Sequence, residues 1–178
     1  MEEVSELRNN LLNVLPQLSG CIKYGLGANT DKWLKIPPEQ KGEPDLTIYW
    51  QYKPLCHIEV SGSNKIEMKR ESKIWIRPDK LYSAQRSGIK CWFYMVYRNC
   101  RCVLDAETVS RYRDNITTAY IKDGYNGQKI PEQYIAVPYS EADDIGTMIR
   151  WLIEKVGRKH PDMIDKSQTT IFKFGKNI

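Results

Sequence analysis

Two histidines, no CxxC spacing and no internal repeat already narrow what this chain can be. With only His57 and His160 beside the five cysteines, a structural zinc site lacks ligands at the usual intervals. Cys100 and Cys102 form a CxC, which a strand would turn to one face. An odd number of cysteines without paired spacing fits reduced, mostly buried thiols. No apolar run approaches the length of a membrane span. The N-terminus is acidic and polar (Glu2, Glu3, Ser5, Glu6), without the charged-then-apolar profile of a signal peptide. The expectation is an intracellular, cytoplasmic protein with no membrane partner.

What remains is a chain of 178 residues, 41% hydrophobic and 28% charged, as expected of a folded globular protein. That length suits a single domain over 1–178, with a core over about 1–105 and a strand-helix extension over about 106–178. Net charge is +5, from 27 basic and 22 acidic residues. So mild an excess permits a polyanionic partner without demanding one.

Apolar residues Val4, Leu7, Leu11, Val14, Leu15 and Leu18 follow three-and-four spacing and predict a helix over 3–18. Residues 20–43 read as a loop, with one short strand near 21–24. The runs 45–51 and 56–61 read as a hairpin turned at Tyr52-Lys53-Pro54-Leu55. A polar, basic connection covers 62–77, and Pro78 opens a helix that stops at Gly88. The near-continuous apolar run Cys91–Tyr97 predicts a strand buried on both faces, followed by a strand over 100–104 and a short helix over 106–113. Residues 114–132 carry no clear pattern. A strand at 134–137 and an amphipathic helix over 140–156, opened by Ser140, follow. The tail from Gly157 is weakly patterned apart from 169–174. The order predicts an α/β fold with a mixed central sheet flanked by helices.

The chemistry gathers on the hairpin. With the turn centred on Lys53, Thr47 opposes Glu59 and Asp45 opposes Ser61. One face then carries Asp45, Thr47, Tyr49, Glu59 and Ser61, and the other carries Leu46, Ile48, Trp50, Ile58 and Val60 as a core face. Asp45 and Glu59 become diagonal neighbours, roughly 7–8 Å apart at the backbone, able to converge on one divalent ion. Two carboxylates, a backbone carbonyl and phosphate oxygens suit Mg²⁺ (or Mn²⁺). A carboxylate within an apolar strand is costly to bury unless paired or metal-bound, so Glu59 is the stronger of the two signals. Asp45, after Pro44 at a strand start, is by itself more often a turn residue.

Pro44-Asp45 at one strand start and Glu59-Val60-Ser61 in the next resemble the PD-(D/E)xK nuclease superfamily, with an order similar to archaeal Holliday-junction resolvases. The resemblance covers roughly 1–105. It implies a restriction-endonuclease-like core and an endonuclease hydrolysing DNA. It also implies a metal held by Asp45, Glu59 and the Val60 carbonyl, with Glu6 of the first helix, before Glu3, completing or orienting the site. Gln85 falls in the later helix, where family members carry a glutamine near the site. The family lysine falls at Ser61, which departs from the pattern. Lys65, past the Gly62-Ser63-Asn64 bend, is the nearest replacement and Lys69 the next, whereas Lys53 at the turn lies too far along the strand. Loss of that lysine makes a catalytically silent nucleic-acid-binding or assembly module the alternative.

The stretch 65–80 adds Lys69, Arg70, Lys73 and Arg77 around Trp75, a composition suited to phosphate contact and base stacking on duplex or branched DNA, or equally to a solvated connection. His57 reads as structural or exposed. A homodimer, built through the apolar 91–97 strand or the C-terminal helix, is the remaining partner expectation.

Overall fold

The structure, a computed structural model, describes residues 2–25, 44–122 and 129–157. Most of the loop expected over 20–43 and the weakly patterned tail with its 169–174 segment therefore lie outside the described residues.

Helix α1 (Glu2–Val14) leads through a 3-10 turn, Pro16–Leu18, into β1 (Ile22–Tyr24), β2 (Leu46–Trp50) and β3 (Lys53–Ser63). Strand β4 (Lys73–Ile76) and helix α2 (Pro78–Ser87) connect β3 to β5 (Lys90–Tyr97). Then come β6 (Arg101–Asp105), α3 (Ala106–Arg111), β7 (Ile116–Lys122), β8 (Lys129–Pro138), a 3-10 turn Tyr139–Glu141, and α4 (Ile145–Val156).

The apolar run explains the layering. Strand β5 lies between β3, to which it is parallel, and β6, to which it is antiparallel. Every residue from Cys91 to Tyr97 is buried. Alternate side chains enter two different cores. Trp92, Tyr94 and Val96 pack with α1 and α4. Cys91, Phe93, Met95 and Tyr97 pack with α2, α3 and a second sheet. The five-stranded sheet, in order β1-β2-β3-β5-β6, is thus mixed and covered on both faces, and the second, antiparallel sheet has the order β4-β8-β7. This is the α/β class expected. Because β5 is internal, it offers no surface for dimerisation.

Local chemistry explains where the elements depart from expectation. The first helix stops at Val14 because Pro16 disfavours helical geometry at Leu15, which sits at φ −128°, ψ 68°. The hairpin turns at Gln51-Tyr52 rather than at 52–55, with φ of 49° and 64°. Two left-handed residues in a two-residue loop match the twist of antiparallel strands. No glycine or asparagine marks that turn, so the sequence conceals it. The basic connection holds β4, a four-residue strand whose alternation places Ile74 and Ile76 inward. The unpatterned 114–132 stretch contributes to the β7–β8 hairpin. Helix α4 begins at Ile145, not Ser140, and its buried residues Ile145, Met148, Ile149, Leu152 and Val156 join the α1 core.

Candidate active site

The observed hairpin register pairs Leu46 with Ile58, Thr47 with His57 and Ile48 with Cys56. Over these pairs it differs from the expected register by two residues, so their side chains keep the expected face; an irregularity between Ile48 and Tyr49 shifts the pairing nearer the turn. Leu46, Ile48 and Ile58 are fully buried on the α1 side. Continuing the pairing by one residue sets Asp45 opposite Glu59, as direct rather than diagonal neighbours. Opposed residues in an antiparallel pair have Cβ atoms roughly 4.5–5.5 Å apart.

Two observations fix Asp45. Its Oδ2 accepts the Val60 backbone N–H at 2.8 Å. Its carboxyl is also close enough to Glu59 for its charge to disfavour ionisation of the Glu59 carboxyl. An extended residue turns its N–H and C=O to the same edge, so the Val60 carbonyl faces the Asp45 side too. Asp45, Glu59 and the Val60 carbonyl therefore meet where β2 diverges from β3.

Glu59 is the one buried charged or polar residue among those described, 5% exposed. It faces the α2 side of the sheet, level with Phe93. Lys80 Nζ reaches its Oε2 at 2.8 Å. Lys80 is the third residue of α2, which Pro78 opens and whose Leu81 and Ala84 anchor it in the core. Burial drives the Glu59 carboxyl up to about 8, Lys80 pulls against that rise, and Asp45 pushes it further up. Burial thus disfavours the ionised carboxyl, and the Lys80 ammonium offsets part of that cost.

His57 shares this face and is half-buried; Thr47 Oγ1 and His57 Nδ1 are hydrogen-bonded at 3.0 Å. Burial lowers its pKa, favouring the neutral ring. Ser61 is exposed, two residues beyond Glu59 on the same face. Its side chain is neutral, and the cation that meets Glu59 is Lys80 of the helix. Lys65 is exposed in the turn after β3, its backbone N–H donating to Ser63 Oγ at 3.3 Å.

The other expected residues fall elsewhere. Glu6 is exposed on α1, and its charge acts on Tyr94, on the opposite side of the sheet from Glu59. Glu3, on the same helix, accepts from Asn64 Nδ2 at 3.2 Å. Gln85 donates through Nε2 to Ser110 Oγ at 3.0 Å, which directs it to α3; five residues past Lys80, it lies about 140° around the helix. Lys69, Arg70 and Lys73 are exposed before and at the start of β4. Arg77 forks onto Asp79, at 3.1 and 2.8 Å, and approaches Glu132 at 3.6 Å.

Lys80 is the residue that sequence reasoning missed. The available signal was its place in the first turn of the Pro78 helix, beside Leu81, on the element that follows the hairpin.

No protein-family model matches the chain, and no curated protein does. No described helix is long and apolar enough to cross a membrane.

Proposed function

We propose that the chain is a metal-dependent nuclease of the PD-(D/E)xK type, an endonuclease acting on DNA with Mg²⁺ or Mn²⁺. The observation that carries this reading is Glu59. It is a buried carboxyl beside the charge of Asp45, with Lys80 Nζ at 2.8 Å. Among the described residues no three His, Cys, Asp or Glu side chains cluster as metal ligands. Two carboxylates and the Val60 carbonyl would give an all-oxygen set that leaves positions for water and phosphate. That is how Mg²⁺ is held at phosphoryl-transfer sites. When bound, the ion supplies an acidified water and neutralises charge on the phosphate.

The chain's own residues have distinct roles. Asp45 and Glu59 bind the ion, and the Val60 N–H fixes the orientation of Asp45. Lys80 pairs with Glu59, and its ammonium would supply positive charge to a phosphate bound beside the carboxylates. The exposed cations Lys69, Arg70 and Lys73 line the approach to β4. Five unpaired cysteines fit a reducing, intracellular compartment.

Plasmid nicking with Mn²⁺ or Mg²⁺ tests the reading. Wild type cleaves, and Asp45→Ala, Glu59→Ala and Lys80→Ala do not. Absence of cleavage on linear, branched and supercoiled DNA refutes it. The alternative is a catalytically silent module, favoured by Ser61 standing where the resemblance places a lysine. It predicts DNA binding that falls with salt and is unchanged by EDTA, with no cleavage.

A further inference from the structure

We infer that the outer face of β4 and β8 is a stacking platform for an unpaired nucleobase, so that the nucleic acid engaged next to the carboxylate site is single-stranded or locally opened. The inference rests on the nucleic-acid partner proposed above and names its form. Strand β4 alternates, with Ile74 and Ile76 buried and Lys73 and Trp75 turned outward. Trp75 is 46% exposed, although an indole is among the side chains that gain most from burial.

The Trp75 ring has one aromatic neighbour among the described residues. Tyr134 packs against it with centroids 5.6 Å apart and planes at 32°. The Tyr134 hydroxyl is hydrogen-bonded to Glu132, and Glu132 also meets Arg77 at 3.6 Å, so the supporting ring is fixed before any ligand arrives. The residue directly across from Trp75 is Ala136, too small to cover the indole.

Charge selects between paired and unpaired ligands here. Lys73 and Arg77 flank Trp75 on the same face, two residues to either side. Arg77 already shares its guanidinium with Asp79 and Glu132, leaving Lys73 as the unshared phosphate contact. So few net positive charges give weak duplex affinity, which depends on phosphate contacts. Base stacking on an aromatic ring needs the base out of the duplex, and each stacked base contributes strongly. Trp75 also lies five residues before Lys80, so their Cα atoms are at most about 18 Å apart.

The test is fluorescence anisotropy with a labelled dT20 strand and a 20-base-pair duplex, in EDTA and low salt. Trp75→Ala weakens dT20 binding about tenfold and duplex binding less than threefold. Trp75→Phe keeps dT20 affinity within threefold of wild type and removes the tryptophan quenching that dT20 causes. Lys73→Ala weakens both ligands and lowers the salt slope. Equal losses on both ligands, no loss with Trp75→Ala, or unchanged quenching in Trp75→Phe each overturn the platform. So does failure of wild type to bind either ligand. Should Trp75→Ala not fold, the Trp75→Phe quenching comparison decides alone. The two readings separate cleanly. Cleavage with a Trp75-independent dT20 affinity refutes the platform alone, and a Trp75-dependent affinity without cleavage refutes the nuclease alone.

Discussion

Replacing Glu59 by glutamine in the metal-free protein removes one proton-binding group and leaves its shape. Burial raises the wild-type carboxyl from 4.5 to about 8. A raised folded-state value means that the native protein binds the proton more tightly than the unfolded chain does. The stability linked to that proton is fully present below pH 4.5 and is lost as pH rises through about 8. At about 1.4 kcal/mol per unit, the wild-type stability should fall relative to Glu59→Gln by on the order of 3 kcal/mol between pH 5 and 8. Urea denaturation in EDTA at several pH values measures it. Taking the difference between the two proteins matters, because His57 and Cys100 also have displaced pKa values near this window and contribute to both. Saturating Mn²⁺ should abolish the wild-type decline, since the ion binds the deprotonated carboxylate and replaces the proton, and should leave Glu59→Gln unmoved. A difference that stays flat from pH 5 to 8 refutes the argument, for it would mean that Glu59 is ionised throughout and held by Lys80 alone.

Lys80→Ala should reduce cleavage at least a hundredfold with little change in DNA affinity, and adding Ser61→Lys to it should restore part of the rate by returning the charge to the strand; steady-state kinetics on a nicking substrate checks both. Gly62→Ala should cost at least about 3 kcal/mol in a denaturant melt. Gly62 has φ +110°, and a Cβ there would lie 2.2 Å from the Val96 carbonyl oxygen. Asp105→Ala should cost about 1–2 kcal/mol by thermal melting, since Asp105 Oδ1 accepts the Thr108 N–H at 2.7 Å as the cap of α3 and Oδ2 pairs with Lys90 at 2.9 Å.

The fold class and the carboxylate face were legible because both depend on period-two patterning. Leu46, Ile48 and Ile58 declare a core side, and Glu59 interrupts the opposite one. That signal survives a register error of two residues, which is why Asp45 and Glu59 were placed on one face even though the turn was misplaced. What was illegible depends on tertiary contact. Gln51 and Tyr52 adopt left-handed backbone without the residues that usually announce it. Strand β4 is recognisable as a strand only once β8 is beside it. Glu6 and Gln85 were assigned by position in a resemblance, and helix rotation and sheet side then sent them elsewhere.

On the proposed reading, a positive charge carried by the helix rather than by the strand changes what the site depends on. A lysine at position 61 would be set by the same backbone that sets Glu59, and the two would stay in register even if a neighbouring helix shifted. Lys80 is positioned instead by how α2 docks, through Leu81 at 1% exposure and Ala84 at 7%. The distance between Lys80 Nζ and Glu59 Oε2 therefore reports α2 packing. Phosphate binding at the helix's N-terminal turn, where backbone N–H groups point outward, would favour the docked position. The charge that Ser61 does not supply then comes from an element whose seat would respond to substrate, and the hairpin's carboxylates meet that charge only when α2 is in place.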